Sequence, residues 1–171
     1  MGEADIAAAI SGARAYLTAN PTEARYRDGA AIASIEDGLR VRVSGADGAS
    51  LVTDMVTGIG GGGSAPSPGW MFRAAYASCV ATLIAMRAAE EGWTLGALEV
   101  SVDSESDDRG ILGIDAGVSA GPLSVRVAVT ASADAADSAA VRTAIEQAVE
   151  RCPVHDAVTR EVPVEVDVRV T

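Results

Sequence analysis

Apolar residues recur along this chain with two different periods, and the switches between them divide it into elements. Ile6, Ile10, Ala13 and Leu17 repeat at helical spacing until Asn20-Pro21 stops the pattern, which predicts an amphipathic helix over Met1–Ala19. Short alternating segments follow at Glu23–Arg27, Ala31–Ile35, Leu39–Val43 and Leu51–Val56, punctuated by Asp28-Gly29, Asp37-Gly38 and Asp47-Gly48. Asp-Gly between apolar alternations is a hairpin signal, because glycine enters the positive-φ conformations that tight turns require. A β-meander is the expectation for this part.

The stretch from Gly58 to Pro68 holds four consecutive glycines, Gly60 to Gly63. No Gly-Lys-Ser/Thr follows, and no Gly-x-Gly-x-x-Gly lies between a strand and a helix, so it reads as a mobile loop rather than a phosphate cradle. It leads into a long apolar helix from about Pro68 to Glu91, stopped by Gly92. Strand-like Leu98–Asp103, Ile111–Val118 and Ser124–Thr130 come next, with the acidic turn Ser104–Arg109 inside them. Asp134–Arg151 is helical in period, a short helical piece follows Pro153, and Val162–Val170 alternates as a last strand. Antiparallel-looking strands with segregated helices predict an α+β fold, not a doubly wound one.

At 171 residues the chain suits one domain, with or without a short N-terminal appendage. It is 49% apolar and 22% charged, which is globular composition. A formal charge of −11 disfavours nucleic acid as a partner, since phosphates would be repelled. The start is acidic, without the basic segment and apolar stretch of a secretory signal, and the run from Trp70 to Met86 is interrupted by Arg73. A cytoplasmic location with no membrane partner is the resulting expectation.

The chemistry concentrates in two cysteines. In a reducing compartment two thiols are more readily catalytic, redox-sensing or simply buried than a structural disulfide. Cys79 lies well inside the apolar helix, where desolvation raises a thiol pKa and the helix N-terminus is too distant to help. It becomes a nucleophile only if a cation reaches it from elsewhere in the fold. Cys152 closes the later helix, where the macrodipole disfavours a negative sulfur. That asymmetry nominates Cys79 as attacker and Cys152 as resolver, unless both are inert packing residues far apart. No His/Cys/Asp/Glu cluster has metal-ligand spacing, and Cys152 with His155 is too small a set for structural zinc. Neither a metal nor a cofactor is expected.

Two motifs carry a family resemblance. The stretch Gly60–Met86, a glycine-rich loop, prolines and an Ala/Tyr/Ser-Cys helix, resembles the signature of the OsmC/Ohr superfamily, osmotically inducible protein C and organic hydroperoxide resistance protein. Glu150 to Ala157, containing Cys152-Pro153-Val154, is similar to that family's second-cysteine motif. The resemblance implies an N-terminal helical appendage over 1–20 and an OsmC-like domain over 21–171. It further implies antiparallel sheets around a long buried central helix, in an intertwined homodimer with active sites at the subunit interface. Family members with the full site reduce organic hydroperoxides: the first cysteine becomes a sulfenic acid, the second condenses with it, and an external dithiol reduces the disulfide.

This chain departs from the pattern at the activating groups. The peroxidases place a Glu ten residues before the first cysteine to hold an Arg over the thiolate, and Gly69 stands there. Tyr26-Arg27-Asp28-Gly29 resembles the turn that carries the catalytic Arg of the Ohr branch, which makes Arg27 the candidate cation, with Arg40 and Arg42 in reserve. The strand that supplies Arg in the OsmC branch, Leu51–Val56, has none. His155 is expected to be solvated or capping, and Asp54 to end a strand. Two functions stay open: a thiol-dependent organic hydroperoxide reductase, or a dimeric binding or stress-associated protein that has lost the peroxidase site.

Overall fold

The computed structural model describes residues 2–134 and 137–170. Met1, positions 135 and 136 at the start of the predicted third long helix, and Thr171 lie outside the described residues. The elements run α1 (Glu3–Ala19), β1 (Ala31–Asp37), β2 (Arg40–Gly45), β3 (Ser50–Thr53), α2 (Pro68–Glu91), β4 (Leu95–Glu105), α3 (Asp108–Ile111), β5 (Ser124–Ala133), α4 (Ser138–Glu150) and α5 (Pro153–Thr159). The fold is α+β, as the periodicity requires.

Two antiparallel sheets form, β1-β2-β3 and β4-β5. The first is built by the two expected Asp-Gly turns: Gly38 and Gly48 both take positive φ, and Asp47 Oδ1 accepts the Ala49 amide. Three expected strands are absent among the described residues. Glu23–Arg27 instead begins in a 3-10 turn over Pro21–Ala24, so Asp28-Gly29 joins no hairpin. Ile111–Val118 is replaced by the single-turn α3 and a run of turns, started by the Asp107 side chain accepting the Arg109 amide. Apolar alternation there has no neighbouring strand edge to pair with, and alternation without a partner does not make a strand. Val162–Val170 likewise has no strand partner within the chain, and Val164, Val166, Val168 and Val170 are 75–92% exposed.

Helix α2 is fixed at both ends by local chemistry. Ser67 Oγ accepts the Trp70 amide and Pro68 occupies the first turn, where its missing N–H costs nothing. At the other end Gly92 takes positive φ (71°), and the Trp93 amide returns to the Ala88 carbonyl. Tyr76, Val80, Ile84 and Ala88 form the buried stripe between these caps. That stripe packs against the inward-facing Leu98, Val100 and Val102 of β4 and Val125, Val127 and Val129 of β5, with Ala148 of α4 and Cys152 closing the side. In register, Val100 faces Val129 and Val102 faces Val127. Burying a side chain such as Val80 or Ile84 stabilises by roughly 1.5–3 kcal/mol. α2 is long and apolar enough to cross a bilayer, but here its apolar stripe forms the core beneath β4 and β5.

The glycine run is not a slack tether. Asp54, buried just after β3, accepts from the amides of Gly62 (3.2 Å) and Ser64 (2.9 Å) and from Ser64 Oγ (2.8 Å). The loop closes on itself through Gly63 N–H to the Met55 carbonyl. A Cβ at Gly61 would lie 1.9 Å from that carbonyl oxygen, so only glycine fits. The expected mobile loop is a hydrogen-bonded turn wrapped on a carboxylate.

Candidate functional site

The two thiols meet. Cys79 is half-buried on α2, one turn beyond Tyr76, and the side chain of Cys152 lies within hydrogen-bond reach of it. Cys152 itself is fully buried. Its position differs from the sequence reading in one respect: it follows the end of α4 but also caps the start of α5, with its carbonyl accepting the Asp156 amide at 2.9 Å. Pro153 produces this geometry, because a helix cannot run through it and a new one can begin at it.

Burial pushes the Cys79 thiol above its ordinary pKa, and the neighbouring Cys152 thiol adds to the rise. One group opposes them: the Val154 amide, in the first turn of α5, donates toward the Cys79 sulfur. Among the described residues no arginine contributes to this environment. At rest the pair is therefore two thiols side by side, in a setting that can form a disulfide with little motion but does not by itself create a thiolate.

The arginines from the sequence reading are elsewhere. Arg27 is exposed, in the extended stretch between the 3-10 turn and β1. Arg40 and Arg42 both pair with Glu36, at 3.0 and 2.5 Å, and hold its carboxyl below the usual range. Arg73, which sequence reasoning passed over, contacts Ser104 Oγ at 3.4 Å and borders an open pocket with Asp54, Trp70 and Pro66 at the start of α2. Its guanidinium lies 3.9 Å from where a Cβ at Gly69 would be. Asp54 in that pocket is pulled down to about 2, chiefly by the Ser64 amide and hydroxyl.

A second pair was also missed. The buried Tyr76 hydroxyl hydrogen-bonds Nδ1 of His155, and their rings sit 6.0 Å apart at a 51° tilt. His155 is thus neither free in solvent nor a cap. Its one-turn offset from Cys152 was the available signal, but only the packing of α5 on α2 supplies the tyrosine. Burial raises the Tyr76 pKa, with smaller contributions from Cys152 and Glu150. Among the described residues no three His, Cys, Asp or Glu side chains gather as a metal site.

A family model for OsmC-like protein matches residues 61–167, which contain both cysteines. The chain belongs to the OsmC-like family. No curated protein matches it. Solved structures do: an OsmC-like protein of unknown function from Vibrio cholerae has a TM-score of 0.65 at 11% identity, covering 80% of this chain and 96% of its own. A putative osmotic stress induced and detoxification response protein from Psychrobacter arcticus gives 0.61 at 18% identity, covering 78% and 91%. An organic hydroperoxide resistance protein OsmC from Legionella pneumophila gives 0.54 at 21% identity, covering 79% and 91%. Identities this low establish a shared OsmC-like fold and nothing finer.

Proposed function

We propose that this OsmC-like protein reduces organic hydroperoxides by a two-thiol cycle. The observation that carries the reading is the adjacency of Cys79 and Cys152 at the junction of α2 and α5. The Cys79 thiolate attacks the terminal oxygen of ROOH and breaks the O–O bond. A proton goes to the leaving alkoxide, giving ROH and a sulfenic acid on Cys79. The Cys152 thiol then attacks that sulfur and expels water, forming the disulfide. An external dithiol reduces it and restores both thiols.

The cycle needs a cation at Cys79, and Arg27 is its proposed source, delivered in a homodimer. Support for assembly comes from three unpartnered surfaces. Every β1 residue is exposed, with Ile32 at 65% and Ile35 at 75%. The alternating valines after α5 lack a strand partner, and α2 shows solvent a face of Ala75, Ser78 and Thr82. In this reading residues 21–171 form the dimerising domain, α1 is an appendage, and the location is cytoplasmic. The named hydroperoxide resistance relative from Legionella pneumophila makes the same chemistry the natural first assay.

The test follows loss of an organic hydroperoxide in the presence of a dithiol. Turnover that disappears in Cys79→Ser and falls in Arg27→Ala supports the cycle. No turnover, or turnover undiminished in Cys79→Ser, ends it. A second reading, a dimeric binding or stress-associated protein without peroxidase activity, is favoured by the raised Cys79 pKa and by Gly69 in place of the family glutamate. A Cys79 thiolate forming well below the ordinary thiol pKa in the assembled protein would refute it.

A further inference from the structure

Four side chains that can carry a proton meet where α5 packs on α2. Tyr76 and Cys79 lie one turn apart on α2, and Cys152 and His155 one turn apart across the start of α5, so each pair shares a face. The two faces meet. The Cys152 side chain is within hydrogen-bond reach of Cys79, and the Tyr76 hydroxyl shares a hydrogen bond with His155 Nδ1. Tyr76 and Cys152 also belong to one buried cluster and are sealed from solvent, whereas His155 is only half-buried.

This grouping bears on a step that the thiols cannot complete alone. Cys152 cannot attack Cys79 until its proton has gone, and a sealed thiol has no water at hand to take it. Nearby carboxylates are poorly placed: Glu150 is exposed on α4, and Asp156 pairs with Arg160 at 2.6 Å. Arg73 on α2, and Arg151 and Arg160 flanking α5, are permanently protonated and accept nothing. His155, the only histidine of the chain, remains, and imidazole is the side chain suited to take up a proton near neutrality. The phenol beside it can accept a proton from a thiol while giving its own to a ring nitrogen. Burial raises the Tyr76 pKa first and the charge of Cys152 next, so the phenol lies within electrostatic reach of that sulfur.

We infer that Tyr76 and His155 form the proton outlet of Cys152, beyond their structural bond. The inference rests on the proposed pairing of an attacking and a resolving thiol. Cys152 S–H passes its proton to Tyr76 Oη as Tyr76 passes its own to His155 Nδ1, with the resting proton of His155 on Nε2. The Cys152 sulfur forms the S–S bond, and the S–O bond of the Cys79 sulfenic acid breaks. The departing hydroxide takes the proton back along the same path and leaves as water. Neither residue touches the peroxide; both act by holding and moving one proton.

Thiol exchange of the full chain with the aromatic disulfide dithiobis(nitrobenzoate) tests this step without any peroxide. Cys79 displaces one coloured thionitrobenzoate and keeps the other in a mixed disulfide. Cys152 then expels the second as an anion that needs no proton, so the second release reports loss of the Cys152 proton. Cys152→Ser should give the first release only. In the parent protein the second release should quicken with pH through an inflection supplied by His155 and then level off. His155→Asn keeps an acceptor where Nδ1 stands but takes up no proton, and Tyr76→Phe removes the relay. Each should slow the second release about a hundredfold at neutral pH, the lower end of what a positioned base contributes. In alkali, where a thiol ionises without help, the three rates should converge. An equal loss at every pH marks a purely structural bond and overturns the inference. So does a His155→Asn protein as fast as the parent, or a parent protein with no second release. Absent peroxide turnover beside an intact pH signature would end the hydroperoxide reading and leave the outlet in place.

Discussion

Tyr76 and His155 stand 79 residues apart in the chain and share a hydrogen bond between the phenol hydroxyl and Nδ1 that links α5 to α2. The link lies one turn before Cys79 on one helix and one turn after Cys152 on the other. It therefore flanks the two sulfurs on both helices. Tyr76→Phe leaves the ring in the core but removes the hydroxyl, and should cost about 1–2 kcal/mol in urea unfolding. It should also slow Cys79–Cys152 disulfide formation under a fixed oxidant. An unchanged disulfide rate alongside reduced stability would show that the bond supports the fold without positioning the thiols.

Cys79 should behave as a high-pKa thiol wherever no cation reaches it. In a Cys152→Ser background, which removes the neighbour's contribution but not burial, alkylation by iodoacetamide should rise with pH to a midpoint above the ordinary 9.0. The folded-state pKa is raised, so this group contributes stability in full below the unfolded value. That contribution is lost as pH climbs from there through the folded pKa. A midpoint below neutrality would reveal a positive group delivered to the sulfur by assembly.

Gly69 is open to substitution. Its φ is not in the left-handed region, and the nearest atoms to an added Cβ are Arg73 Nη1 and Ser67 Oγ, both at 3.9 Å. Gly69→Glu would place an acid in the first turn of α2, four residues before Arg73. Relief of the glycine penalty and the helix dipole together should stabilise by about 1 kcal/mol in denaturant unfolding. If the proposed cycle operates, the same variant should raise peroxide turnover in a dithiol assay. A loss of stability would mean that this turn cannot accept a side chain.

The Asp54 carboxylate organises the glycine loop, and its pKa of about 2 gives the sign of the acid response. Depressed in the folded state, it contributes stability above its unfolded value of 3.8, and that contribution disappears as pH falls from there towards 2. Asp54→Asn should lower the melting temperature at pH 7, with the difference from the parent protein shrinking on acidification to pH 2. A difference independent of pH would assign the loss to geometry rather than charge.

What the chain determines locally is its helices, its turns and its two thiol motifs. Ser67-Pro68 and Gly92 delimit α2 from within a few residues, and Asp37-Gly38 and Asp47-Gly48 set two hairpins, because caps and turns are satisfied by neighbours in sequence. The alternating valines of β5 announce a half-buried strand in the same way. Alternation at Ile111–Val118 and after Val162 carries the same local signal and yields no strand within this chain, since a strand exists only where another edge accepts its hydrogen bonds. The tertiary structure alone decided that Cys152 reaches Cys79, that His155 finds a buried phenol, and that four glycines wrap a carboxylate. Each of these is a contact between distant segments, and the free energy that makes it comes from packing α4 and α5 onto α2 and the loop onto Asp54, which no short window of sequence contains.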